Sequence, residues 1–486
     1  MFKIYIKKSI LLSVITSLLI LSFFKDNIHN NQIYTEFINK YINNEFYNKD
    51  NGKCNQLDPI YVFIQRFKRN PFTICKNNKS YHICFQSSKY DYYNKLYRFP
   101  YGVICLMNNF ILNPSQSLQT NLTYKGPIDA TNRGSPILSK GFFSMRCEKN
   151  DISSNYSKLY TNYFNSWNYE NIYENGEVEE LAPGKTVFLI SRNEDSPNLF
   201  HGFSEFINSL SIMYLFNLKP EDIQIIFLES MLLNNEPLID LYTHIISKDN
   251  KPIYIRNLSK KYHISSAFFI PVGADSPLFM LINSPDCSYS TLTYKIVNQM
   301  INKYLNITNF KDSFISDNET FYYPKLIIKN HFLNKTFNKT ITIQWRKVWP
   351  KGRTNQKRIL GNGPELTEKL SNFLPNNFLI RLIDTASLSI SEQISIMKNT
   401  QYFIGVHGAG LSLSIFMSNY SIMHEITPYK KNKLLLLMSK LSGHKSYSDI
   451  IKNKIEIIEK NEYIYFDEDQ FVDCILKRMR QNNIIE

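Results

Sequence analysis

The chain has 486 residues, 43% hydrophobic and 14% aromatic, enough apolar surface for ordinary cores, which excludes a largely disordered chain. Its length suits two or three domains of about 100–200 residues each. The formal net charge of +14 would fit a polyanion partner, but the lysines are scattered. Zinc-finger spacing, an RNP-like aromatic motif and an Arg-rich arm are all missing, so no nucleic-acid partner is expected.

At the N-terminus, Lys3, Lys7 and Lys8 precede an uncharged apolar stretch from Ser9 to Phe24 that ends at Lys25 and Asp26. Residues 1–25 therefore read as a cytoplasmic tail and signal anchor. Extending the span back to Ile4 brings it close to membrane length, with Lys7 and Lys8 snorkelling to the interface. A cleaved signal peptide is the rival, but Ser22-Phe23-Phe24-Lys25 is a poor cleavage site. Basic residues ahead of the span put the rest of the chain in the lumen, a single-pass type II arrangement.

Residues 26–183 read as a stem followed by a Cys-containing region. Cys54, Cys75, Cys84, Cys105 and Cys147 fall there, while Cys287 and Cys474 stand apart. With no CxxC pair or flanking His spacing, the early group predicts disulfides formed in an oxidising lumen rather than zinc ligation. Sequons such as Asn257 and Asn306 agree with a lumenal chain. Ala182-Pro183-Gly184 closes the region with a turn signal.

Beyond that turn, strand-like and helix-like stretches alternate. Residues 184–339 form a first α/β unit and linker, with strands predicted at Thr186–Ile190, Ile223–Leu228 and Pro252–Ile255. Helical stretches cover Phe203–Phe216, Leu238–Ile246 and Thr291–Tyr304. Residues 340–486 form a second unit, with strands at Thr340–Gln344, Phe378–Ile383, Tyr402–Val406 and Ile422–Ile426. Helices are predicted around Glu365–Phe373, Ser391–Lys398 and Gln470–Arg480. Buried strands separated by helical lengths predict parallel βαβ units, here two Rossmann-like, doubly wound domains facing a cleft.

The most informative segment is the apolar strand Tyr402–Val406 running into His407-Gly408-Ala409-Gly410-Leu411 and a predicted helix. Glycines allow close approach of a ligand, and N–H groups at a helix start favour phosphate, so a nucleotide diphosphate fits there. Plain turn packing is the alternative.

The chain resembles glycosyltransferase family 61 in three places. The first is Ser391-Glu392-Gln393, then Val406-His407-Gly408-Ala409-Gly410-Leu411, then His424-Glu425-Ile426-Thr427-Pro428. The second, Asn198-Leu199-Phe200-His201-Gly202-Phe203-Ser204-Glu205, is similar to the family's Asn-x-x-His-x-x-x-Asp element, with Glu205 in place of Asp. The third is Trp345-Arg346-Lys347 followed by Arg358-Ile359-Leu360-Gly361-Asn362, with Trp349–Gln356 as an insertion.

The resemblance implies a GT-B fold and inverting transfer of a sugar of the xylose, GlcNAc or arabinose class from a UDP-sugar to a glycan or glycoprotein. A catalytically inactive glycan- or nucleotide-binding protein of the same fold is the alternative. The Golgi or endoplasmic reticulum membrane is the implied location, and no cofactor beyond the donor is expected.

Arg346 and Arg358 offer planar forks for the diphosphate, beside His407 and the glycine turn. Glu425 is placed to accept from ribose hydroxyls, with an N-cap role as the alternative. His201 and Glu205 share a helix face, and either is a candidate general base. Asp467-Glu468-Asp469 has the look of a metal-binding acidic pair, but it precedes a helix whose dipole it would complement, so no catalytic metal is expected.

Overall fold

The computed structural model describes residues 71–76, 80–86, 103–118, 137–149, 163–169, 178–191, 199–228, 238–248, 250–270, 292–307, 339–348, 357–375, 377–385, 388–418, 420–428 and 436–486. The expected anchor, the stem, the Trp349–Gln356 insertion and nearly all of the linker lie outside them. Among the described residues no helix is long and apolar enough to cross a membrane.

The first half is built on one large mixed sheet. Its strands are β1 (Pro71–Lys76), β2 (Tyr81–Gln86), β3 (Val103–Leu112), β4 (Thr186–Ile190), β5 (Ile223–Phe227), β6 (Ile253–Tyr254) and β7 (Lys261–Ile270), with shorter strands at its margins. The order β6-β5-β4-β7 is parallel throughout, the doubly wound half expected from the alternation. From β7 the sheet continues antiparallel through β3, β2 and β1. The boundary expected near Pro183 therefore runs through one sheet: the Cys-containing strands extend the first α/β unit rather than forming a region of their own. Cys75–Cys147 and Cys84–Cys105 are disulfide-bonded, in agreement with the stapling expected of the early cysteines.

Helix α1 (Leu199–Leu215) follows β4 and is buried almost all round. Such a helix must satisfy its polar side chains internally. Ser204, Ser209 and Ser211 do so by donating to the carbonyls of Phe200, Glu205 and Ile207, each four residues back. Helix α2 (Leu292–Ile307) packs beside it.

The second half holds a parallel five-stranded sheet of β8 (Lys339–Gln344), β10 (Phe378–Ile383), β11 (Tyr402–Val406), β12 (Ile422–Thr427) and β13 (Lys445–Ile450). The intervening β9 (Ile359–Leu360) belongs instead to a small sheet with the hairpin β14 (Asn453–Ile458) and β15 (Asn461–Phe466). Helices α3 (Gly363–Asn372), α4 (Ile390–Lys398) and α5 (Glu468–Gln481) accompany these strands. Ser389 and Glu392 close a capping box at the start of α4.

Asp467 caps α5 by accepting from the Gln470 N–H at 3.0 Å, while Glu468 and Asp469 both pair with Lys369. The acidic triplet is thus a helix start tied to α3. The helix expected after the glycine turn is a 3₁₀ segment, Ala409–Phe416, whose tighter winding lets consecutive apolar residues pack inward. That segment meets α1, with the Phe203 and Phe416 rings edge-to-face at 5.0 Å, and Tyr294 of α2 donates to the Met417 carbonyl at 2.6 Å. One apolar cluster accordingly runs from Phe188 and Phe227 of the first unit through Phe203 to Leu411, Leu413 and Ile394 of the second.

Candidate functional site

The five parallel strands stand in the order β10-β8-β11-β12-β13, so the chain first steps outward from β8 and then reverses direction to β11. In doubly wound sheets ligands bind at the carboxyl ends of the strands where the order reverses. Here those ends are Gln344-Trp345-Arg346 after β8 and His407-Gly408-Ala409-Gly410 after β11. Two of the three sequence motifs therefore meet at the switch point.

The fit between them is close. A Cβ at Gly408 would lie 1.7 Å from Arg346 Nη1, and one at Gly410 would lie 1.7 Å from Gln344 Nε2. The glycines are spaces for those two side chains. Arg346 Nη1 donates to the His407 carbonyl at 3.4 Å, and Gln344 Nε2 donates to Thr385 Oγ1 at 2.9 Å. Lys347 is turned away, its Nζ 3.7 Å over the Trp345 ring, while the Trp345 Nε1 donates to the Leu360 carbonyl at 3.2 Å.

Arg358 lies two residues before Leu360, whose N–H donates to the Arg346 carbonyl at 2.9 Å. Its own φ of 65° lies in the left-handed region, a conformation costing a non-glycine residue about 1–2 kcal/mol. Arg346 thus borders the turn, with Ala409 and Gly410 opening the 3₁₀ segment and the Leu411 N–H donating to the Gly408 carbonyl at 3.0 Å.

Glu425 has a geometry the sequence did not suggest. It lies within β12, fully buried, and both carboxylate oxygens are engaged: Oε1 with His407 Nδ1, and Oε2 with Ser448 Oγ, which donates at 2.6 Å. It faces the His407 ring rather than an open groove, so neither direct ribose binding nor an N-cap describes it. Gln344, Thr385 and Ser448 escaped the sequence reading. Gly405 and Gly410 were the available signal for Gln344, since both pack against it.

On the other face of β12, His424 is fully buried between Tyr402 (Oη to Nδ1, 2.8 Å) and Asp449 (Oδ2 to Nε2, 3.0 Å). Arg478 of α5 donates to Asp449 twice, at 2.8 and 2.6 Å, and lies over the Tyr447 ring. Burial holds His424 below its usual range. Burial pushes the Asp449 carboxyl up, but hydrogen bonds from His424 and Arg478 outweigh it and leave it well below the usual carboxylate range. Cys474 is nearby, its thiol pushed up to about 12, chiefly by burial. This network pins α5 to the sheet.

His201 and Glu205 sit in the first two turns of α1, the helix that follows β4 and touches the 3₁₀ segment. His201 is partly exposed and Glu205 is fully buried. They come from the other α/β unit, and the shared core is what carries both groups in one body.

In α/β folds a switch point of this kind, with a basic side chain and a glycine turn at the strand ends, is where anionic ligands are commonly bound. Residues 199–423 match the family model described as Glycosyltransferase 61. The match reaches from α1 into β12, covering both arginines and the glycine turn. The EGF domain-specific O-linked N-acetylglucosamine transferase of Gallus gallus is 22% identical over 312 residues, 63% of this chain. The chain spans about half the length of that relative, the match covering 51% of it.

Proposed function

We propose that the chain is an inverting glycosyltransferase that moves a sugar from a UDP-sugar to a glycan or glycoprotein. The observation that carries this reading is the glycine turn moulded around Arg346 at the switch point, inside the region matched by the family 61 model. Transfer from a nucleotide sugar leaves negative charge on the departing diphosphate. Arg346, Arg358 and the N–H groups opening the 3₁₀ segment would stabilise it.

The acceptor hydroxyl oxygen then attacks the anomeric carbon as the bond to UDP breaks, and its proton passes to a general base. We assign that base to His201, because it reaches solvent where Glu205 does not. Glu205 suits orientation of the helix-borne site. Its presence in place of the family's Asp is also what favours the second reading, nucleotide or glycan binding without turnover.

The name of the Gallus gallus relative specifies N-acetylglucosamine transfer to EGF domains, which makes UDP-GlcNAc the first donor to try among the xylose, GlcNAc and arabinose classes. Two disulfides support an oxidising compartment, the lumen of the endoplasmic reticulum or Golgi, with a type II anchor resting on the pattern of residues 1–25. No cofactor beyond the donor is invoked. A screen of UDP-sugars scored by released UDP tests the reading: release by the wild type and its loss in Arg346→Ala support it. A chain that neither releases nor binds UDP would overturn it, and binding without release would select the second reading.

A further inference from the structure

We propose that Glu425 is a positioning residue which, with Ser448, fixes the His407 ring so that Nε2 accepts a hydrogen bond from a ribose hydroxyl of the bound nucleotide. This rests on the donor-site reading above and adds a role for a residue that cannot reach the ligand itself.

The register of the sheet sets up the arrangement. Glu425 lies opposite Gly405 in β11 and opposite Ser448 in β13. Side chains alternate along a strand, so Glu425 faces the glycine turn while His424 faces the opposite network. A buried carboxylate is costly unless its oxygens are satisfied, and the other positions on its face of the strand, Met423 and Thr427, carry no charge. Packing alone gives no reason for a carboxylate there.

The hydrogen bonds give one. As a carboxylate, Glu425 can only accept, so the hydrogen on the shared edge is carried by His407 Nδ1. In the neutral ring the remaining nitrogen, Nε2, is then an acceptor. An acceptor is repelled by phosphate oxygens and suits a hydroxyl. The His407 side chain keeps 11% of its surface exposed, and with Nδ1 engaged by Glu425 the nitrogen left for a ligand is Nε2. The His407 carbonyl also holds Arg346, so one residue would set both the hydroxyl acceptor and the phosphate fork. Ser448 Oγ ties Oε2 and keeps the carboxylate from rotating.

The experiment combines ¹⁵N-histidine NMR on the full chain with calorimetric titration of UDP, 2′-deoxy-UDP and 3′-deoxy-UDP. The wild type is expected to show His407 as the Nδ1–H tautomer and to bind one of the deoxy nucleotides about tenfold more weakly than UDP, the worth of one good hydrogen bond. Glu425→Gln is expected to disturb that tautomer, to weaken UDP by about tenfold and to lose the preference for the ribose hydroxyl. Should Glu425→Gln fail to fold, Ser448→Ala, at a partly exposed position, is expected to show the same changes at a smaller scale. A wild-type His407 in the Nε2–H form, or equal affinity for all three nucleotides, would overturn the inference and leave the donor site standing. Absence of any UDP binding would sink the donor-site reading and this inference together.

Discussion

Gly408 and Gly410 are two residues apart, and each leaves room for one side chain, yet replacing them with alanine should have opposite consequences. At Gly408 the added Cβ falls 1.7 Å from Arg346 Nη1 and 3.0 Å from its Cζ. Those atoms are the far end of a flexible side chain, so the guanidinium swings away and the fold tolerates the change. Binding does not: one charge-assisted contact is worth about 1.5–3 kcal/mol, so UDP should bind about ten- to a hundredfold more weakly.

At Gly410 the Cβ falls 1.7 Å from Gln344 Nε2 and 2.6 Å from its Cδ. Gln344 is buried and tied to Thr385, so it has nowhere to go, and overpacking of this kind costs about 1–3 kcal/mol of stability. Calorimetry with UDP and thermal unfolding on both variants separate the two effects. Combining Gly408→Ala with Arg346→Ala should add nothing to the loss from Arg346→Ala alone, since both remove one contact. The reasoning is refuted if Gly408→Ala binds UDP as tightly as wild type, or if it unfolds as early as Gly410→Ala.

His201→Ala should cut turnover by roughly 10²–10⁴ with UDP affinity unchanged, and near-wild-type turnover would remove His201 as the base. Cys474, its thiol pushed up to about 12, should resist alkylation at pH 8 in the folded chain and react on unfolding; rapid native labelling would contradict its burial. His424 and Asp449 both sit below their ordinary values, so the folded state takes up fewer protons than the unfolded chain. Their contribution to stability is complete above about pH 6.5, where an unfolded histidine loses its proton. It should fall as the pH drops through the His424 range and then below about 4, where unfolded aspartate titrates. Melting curves from pH 8 to 2 check this, and Asp449→Asn should flatten the limb below about pH 4.

Much of the second unit could be read in advance because its strands are short apolar runs between polar helices. Phe378–Ile383 and Tyr402–Val406 fall where expected, as does Thr186–Ile190 in the first unit. The glycine turn and Arg346 were legible for the same reason: a strand end, a turn and a cation are local features. Ser448 and Gln344 were not, because their roles depend on which strands become neighbours, a consequence of the order β10-β8-β11-β12-β13 that no local pattern encodes. Glu425 was visible as a carboxylate at a strand end but misread in role, since its partners lie 18 and 23 residues away in sequence. The merging of the Cys-containing strands into the first sheet was hidden likewise, as β3 pairs with β7 across some 150 intervening residues.

That merged sheet and the shared core bear on how the two halves could work together. Separating them would expose Phe203, Leu411, Leu413 and Phe416, all buried in one cluster, and would break the Tyr294 hydrogen bond to Met417. Burying each of these apolar side chains stabilises the joined form by about 1.5–3 kcal/mol, so a wide opening would be costly even before the hydrogen bond is counted. In the proposed reading, the base on α1 and the diphosphate site on the second sheet would be carried by this one core. Their spacing is set by the contact between α1 and the 3₁₀ segment, and Phe203, which touches neither nucleotide nor acceptor in this reading, becomes the residue through which the two halves of the site are held in register.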